Sequence, residues 1–113
     1  MKITNSPVHS LFNTKLADRV NHIYYPEKAK DEEFLSCLEK LQVDLCVTAA
    51  YGQYLPKNFL SIPKYGTVNI HPSLLPKYRG AAPVQRCLEN GDLITGISIL
   101  YTVSKMDAGK YYE

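Results

Sequence analysis

The chain has 113 residues, 45% hydrophobic and 21% charged, an ordinary globular composition that allows one domain with one core and excludes a second. Its 13 Lys and Arg against 11 Asp and Glu leave a net charge of +2, too balanced for the whole-surface attraction to phosphate of a dedicated nucleic-acid binder. No apolar run approaches the roughly 20 residues of a membrane span, and the opening Met1-Lys2-Ile3-Thr4-Asn5-Ser6-Pro7 does not read as a secretory signal. Cys37, Cys46 and Cys87 form no C-x-x-C pair and are expected to be reduced, buried thiols.

In chain order, Ser6-Pro7 with Val8, Leu11, Phe12 and Leu16 predicts a helix over about 7–20: a cap, a proline at the first helical position and an apolar stripe. Ile23-Tyr24-Tyr25 reads as a short strand ended by Pro26. Asp31-Glu32-Glu33 opens a second helix with acidic residues at its positive end, its buried face formed by Phe34, Leu35, Leu38 and Leu41. Val43 to Ala50 is almost continuously apolar, as expected of a strand covered on both faces of a parallel sheet. After an irregular stretch from Pro56 to Pro63, Gly66–His71 is a strand halted by Pro72, followed by a Pro- and Gly-rich loop through Gly80.

Pro83 starts a third helix carrying Val84, Cys87 and Leu88, with Gly91 in the position of its C-terminal cap. Thr95 to Val103 alternates Ile97, Ile99, Tyr101 and Val103 with small or polar residues, the pattern of a strand. Helices alternating with short strands argue for an α/β fold with a mostly parallel sheet, whose chemistry lies beyond the carboxyl ends of its strands.

Asn69 and His71 stand two residues apart, hence on one side of a strand, at its C-terminal end. Alone, such a pair is equally well explained by hydrogen bonds to nearby backbone. The loop Pro72-Ser73-Leu74-Leu75-Pro76-Lys77-Tyr78-Arg79-Gly80 holds two leucines between prolines and two cations around an aromatic. It reads as a pocket wall or as a surface turn with its leucines tucked inward. Lys77, Arg79 and Arg86 are either anion contacts or solvated charges. Asp107, in Met106-Asp107-Ala108-Gly109, is either a partner for His71 or a turn former. The phosphate-cradling glycine loops, metal-ligand spacings and G-x-S-x-G are all missing from the sequence.

Taken together, Ala50-Tyr51-Gly52-Gln53-Tyr54-Leu55-Pro56, Asn69-Ile70-His71-Pro72-Ser73-Leu74-Leu75-Pro76, Arg79-Gly80-Ala81-Ala82-Pro83-Val84-Gln85-Arg86, Gly91-Asp92, Thr95-Gly96 and Asp107-Ala108-Gly109 form one pattern. It resembles the 10-formyltetrahydrofolate-dependent formyltransferase superfamily, and within it the methionyl-tRNA formyltransferase family. The resemblance implies a Rossmann-like fold and transfer of a formyl group from 10-formyltetrahydrofolate to the amino group of methionyl-tRNA. Asn69, His71 and Asp107 match the superfamily's catalytic trio, and Ser73, Leu74, Leu75 and Pro76 its folate-binding stretch; no metal is implied.

Such a transfer passes through a species whose oxygen becomes negative. Asn69 and a protonated His71 suit that oxygen as donors, with Asp107 holding His71 charged or relaying the proton of the attacking amine. By the same resemblance, residues 1–113 correspond to part of a catalytic domain, truncated at both ends and without the C-terminal tRNA-binding domain. Poor transfer by the chain alone is therefore expected. The aspartate loop has the form of divergent members, which favours a mitochondrial matrix enzyme over a bacterial cytoplasmic one. Other readings are a folate-dependent formyltransferase with another amine acceptor, a formyltetrahydrofolate hydrolase, and a non-catalytic folate-binding module.

Overall fold

The computed structural model describes residues 22, 24, 26–103 and, for backbone only, 111–112. The helix expected over 7–20 and two of the three residues of the strand expected at 23–25 lie outside the described residues. Helix α1, Glu32–Leu41, has Glu32 and Glu33 in its first turn and Lys40 in its last, each sign at the helix end it suits. Asp31 does not cap it with its side chain; its carboxylate accepts from the Lys28 backbone N–H at 3.1 Å and steadies the preceding turn. Strand β1 is Cys46–Ala49. The segment after it is tied back to the turn before α1 by the Gln53 carboxamide. That group accepts from the Ala29 N–H at 3.0 Å and donates to the Glu27 carbonyl at 3.2 Å.

The stretch read as irregular contains a short helix, α2, Lys57–Ser61, which buries Phe59. Strand β2, Thr67–His71, ends at Pro72 as expected. Helix α3, Pro83–Glu89, buries Pro83 and Cys87, while its other two apolar residues, Val84 and Leu88, are exposed. Strand β3 is shorter than its alternating pattern, pairing only over Ser98–Tyr101, and β4 is Tyr111–Tyr112. No helix among the described residues is long and apolar enough to cross a membrane.

The sheet order is β1-β2-β3-β4. The α/β class holds, and the described sheet is mixed: β1 and β2 run parallel, while β3 is antiparallel to β2 and to β4. The chain enters β3 near the end where β2 leaves, His71 pairing with Ser98, so β3 runs back along it.

Directly paired residues share a face. Cys46 pairs with Thr67, Thr48 with Asn69, Asn69 with Leu100 and His71 with Ser98, which puts all seven on one face. That face is the inner one: Thr67, His71 and Leu100 are buried, and Cys46 packs on the cluster of Ala29, Leu35, Leu55 and Phe59. The opposite face carries Val47 and Ile99, 57% and 48% exposed. The expectation that β1 is covered on both faces is therefore overturned; its apolar run supplies one buried and one open side.

Phe34 stacks on Phe59 with ring centroids 6.3 Å apart, joining α1 to α2 through the core. Leu35 is the buried residue of α1. Leu35→Ala is expected to cost about 2–5 kcal/mol through lost burial and the cavity left behind, seen as a lower urea midpoint with an unchanged slope.

Candidate functional site

The parallel pairing brings the carboxyl ends of β1 and β2 to one edge, where α/β folds place their ligands. On the inner face at that edge, Thr48 Oγ1 donates to Asn69 Oδ1 at 2.9 Å. With its carbonyl end held there, the Asn69 carboxamide directs Nδ2 elsewhere, and no hydrogen bond within the described residues engages that group. Two residues on, His71 is 6% exposed, and its Nε2 lies 3.1 Å from the backbone carbonyl of Tyr78. A carbonyl oxygen can only accept, so Nε2 carries the proton and the neutral ring is bare at Nδ1. Nδ1 has no hydrogen-bond partner among the described residues. Of the alternative left open by the sequence, hydrogen bonds to nearby backbone, His71 shows one, to Tyr78, whereas Asn69 bonds to the Thr48 side chain of the neighbouring strand; each side chain commits one atom and keeps one.

The loop from Pro72 to Gly80 is folded on itself by its polar groups. Ser73 is fully buried, and its hydroxyl donates to the Lys77 carbonyl at 2.7 Å. Lys77 N–H donates to the Leu74 carbonyl at 3.1 Å. From β3, Ser98 Oγ accepts from the Leu75 N–H at 3.0 Å and donates to the Ser73 carbonyl at 2.7 Å, bridging both backbone groups with one hydroxyl. Ser73 therefore builds the loop with its side chain, while Leu74, 52% exposed, is the presented apolar surface, Leu75 being half-buried. Gly96 permits this: a Cβ there would come within 2.6 Å of Leu74 Cδ2.

The cations divide. Lys77 pairs with Asp92 at 2.5 Å, whereas Arg79 and Arg86 are exposed and join no ion pair among the described residues. The Asp92 carboxylate also accepts from Tyr78 Oη at 2.7 Å and from Asn90 Nδ2 at 2.9 Å. Lys77, Tyr78 and Asn90 together hold its pKa down at about 2. Tyr78, by the same bond to Asp92, is held above the usual phenol range. Asp107 lies outside the described residues, so only Asn69 and His71 of the expected trio are seen together.

Ser98, Thr48 and the Asp92 carboxylate were not singled out for these roles by the sequence. Their partners sit 14 to 25 residues away. The only signal was their position: Asp92 after a glycine at a helix end, Ser98 and Thr48 on the same strand faces as His71 and Asn69.

The sequence profile of the family described as formyl transferase matches residues 1–112. The chain belongs to the formyl transferase family. It is 53% identical over 87 residues to the methionyl-tRNA formyltransferases of Staphylococcus epidermidis and Staphylococcus aureus, a match covering 77% of this chain. The chain spans 28% of the length of these curated relatives.

Among solved formyl transferase structures, it is similar to glycinamide ribonucleotide transformylase 1 from Geobacillus kaustophilus. That match has a TM-score of 0.65 and 33% identity over 79% of this chain and 48% of that one. It is also similar to a formyltetrahydrofolate deformylase from Pseudomonas syringae, with a TM-score of 0.68 and 27% identity over 94% of this chain and 36% of that one. These staphylococcal relatives are bacterial, and the mitochondrial origin expected from the aspartate loop finds no support.

Two outcomes test the geometry. Ser98→Ala leaves the Leu75 N–H and the Ser73 carbonyl without their partner, and amide exchange at Leu75 should accelerate roughly 5- to 100-fold, as a loss of about 1–3 kcal/mol implies. Because Asp92 titrates lower in the folded chain than the ordinary carboxylate near 3.9, it contributes stability that is present above about pH 4 and lost as the pH falls through about 2. In urea unfolding followed from pH 5 to 2, Asp92→Asn should flatten that acid slope.

Proposed function

We propose that this chain carries the formyl-transfer site of a methionyl-tRNA formyltransferase. In this reading the formyl group of 10-formyltetrahydrofolate passes to the amino group of methionyl-tRNA, with Asn69, His71 and Asp107 as catalytic residues. Ser73, Leu74, Leu75 and Pro76 form the donor-binding stretch, Ser73 and Pro76 by shaping the loop and the leucines by contact. The observation that carries the reading is the pair of uncommitted atoms, Asn69 Nδ2 and His71 Nδ1, on the inner face at the carboxyl end of β2. The 53% identity to staphylococcal methionyl-tRNA formyltransferases supports the choice of acceptor, and their source a bacterial cytoplasmic setting.

The residues present fit such a donor. A carbonyl oxygen needs an N–H donor, which Asn69 offers, and a flat, partly apolar molecule needs an apolar wall, which Leu74 offers half-exposed. When bound, the donor supplies the reacting formyl carbon.

Asn69, its amide orientation fixed by Thr48, donates toward the oxygen on which negative charge collects, a preorganised contact of the oxyanion-hole kind. His71 keeps Nε2–H on Tyr78 in either charge state, so it gains and loses its proton at Nδ1. Protonated there, it is a second donor to the same oxygen. Asp107 is assigned the part of holding that charge or taking the proton of the attacking amine.

The experiment has two arms. Calorimetry with a non-transferable 10-formyltetrahydrofolate analogue should show saturable binding to the chain that Leu74→Asp abolishes and Asn69→Ala leaves within a few-fold. Formylation of methionyl-tRNA, expected to be poor in the chain alone, is assayed with the same substitutions at the matching positions of the 53% identical Staphylococcus aureus enzyme, where it should fall about 10²- to 10³-fold in Asn69→Ala and by a similar or larger factor in His71→Ala. Binding untouched by Leu74→Asp would remove the donor wall, and transfer untouched by Asn69→Ala would remove the catalytic assignment. Formate release that no amine suppresses would replace the transferase with a hydrolase.

A further inference from the structure

The Tyr78 carbonyl that holds His71 belongs to a residue with φ of 56°, in the left-handed region that a bulky side chain rarely enters. Local preference therefore does not aim this carbonyl at the ring; something else must hold Tyr78. Its own side chain is the holder, since Tyr78 Oη donates to Asp92 Oδ2 at 2.7 Å. The same oxygen takes the neighbouring Lys77 ammonium at 2.5 Å, so two consecutive loop residues converge on one carboxylate. Lys77 is in turn gripped at its carbonyl by the buried Ser73 hydroxyl.

Asp92 is itself fixed from the other side. At the end of α3, Gly91, with φ of 69°, donates its N–H to the Leu88 carbonyl at 3.0 Å, and the Asp92 N–H donates to the Cys87 carbonyl at 3.1 Å. These two bonds are the Schellman arrangement, which closes a helix and sets the direction of the residue after the glycine. Cys87, whose carbonyl accepts from Asp92 in that turn, is buried at 4% exposure and anchors it. Asn90 Nδ2 then holds the second carboxylate oxygen at 2.9 Å, leaving the group little rotational freedom.

We infer that Asp92 is a positioning residue for His71: seated on the C-terminal turn of α3, it clamps the Tyr78 hydroxyl so that the Tyr78 carbonyl receives the imidazole Nε2–H and directs Nδ1 to the reacting groups. The path runs from Asp92 through the Tyr78 side chain and backbone to His71; the hydrogen-bond partners of the carboxylate are Lys77, Tyr78 and Asn90, and that of the ring is the Tyr78 carbonyl. It deepens the reading of His71 as the proton-handling residue and rests on that reading for its catalytic meaning, but the mechanical link is observable without any turnover.

The test follows the His71 Nε2–H proton by NMR in the 15N-labelled 113-residue chain, at a pH of about 8.5, above the ordinary histidine range. In the unaltered chain the Nε2–H signal should be visible and slow to exchange with water. Tyr78→Phe, which removes one hydroxyl and keeps the ring, and Asp92→Ala should each speed that exchange at least 10-fold. The double variant should be no faster than the faster single one, because both changes cut one path.

Exchange of the Leu100 amide reports the core and should stay unchanged in Tyr78→Phe, so that a folding defect in Asp92→Ala cannot imitate the result. An unaltered Nε2–H in Tyr78→Phe overturns the link, and so do effects that add in the double variant, which would assign the action of Asp92 to Lys77. Loss of catalysis is scored apart: full transfer by His71→Ala would end the catalytic reading while leaving the Nε2–H result standing.

Discussion

The parallel pairing of Cys46–Ala49 with Thr67–His71 is the constraint on which the site depends. Side chains alternate along a strand, so this register decides at one stroke that Thr48, Asn69 and His71 share the buried face and that their strand ends meet at one edge. A slip by one residue would carry Asn69 and His71 to the open face beside Val47 and would set Val68 and Ile70 where the polar groups now stand. In the observed register Cys46 of β1 packs on the core of Ala29, Leu35, Leu55 and Phe59 while its partner on β2, Thr67, is buried beside it.

Around that edge the loop after β2 is held by side chains that each satisfy backbone groups. The Ser98 hydroxyl takes an N–H and gives to a carbonyl on the same loop; Ser73 gives to Lys77; His71 gives to Tyr78. Each such bond contributes on the order of 1 kcal/mol net, yet leaving its buried partner unmet costs more, so the loop is better described as a set of mutually required contacts than as a flexible lid. In this arrangement the imidazole is a structural member through Nε2, and the proposed chemistry would fall to Nδ1.

The elements with strong local signals were legible: the acidic opening of Glu32–Leu41, the proline stop after His71, and Pro83 with Gly91 bracketing the last helix. Their signals are properties of neighbouring residues. Lys57–Ser61 escaped notice because five residues cannot display a helical stripe. Val84, Cys87 and Leu88 mark an apolar face of α3, but spacing alone does not say what covers it, and here Cys87 is buried while Val84 and Leu88 are exposed. The roles of Thr48, Ser98 and Asp92 depend on strand register and on the turn at Gly91, which bring together residues with no sequence relation. Asn69 and His71 were found through a motif, but the division of labour between the two imidazole nitrogens came only with the Tyr78 carbonyl.

The missing side chain at Gly96 has a mechanical consequence. Leu74 rests against bare backbone there, so close that a single added carbon would press within 2.6 Å of it. On that side the leucine has a peptide unit behind it, two residues ahead of the paired strand at Ser98. If the proposed donor lies against it, the leucine can yield only by turning toward its open side, so the approach is limited by side-chain rotation rather than by retreat into the fold.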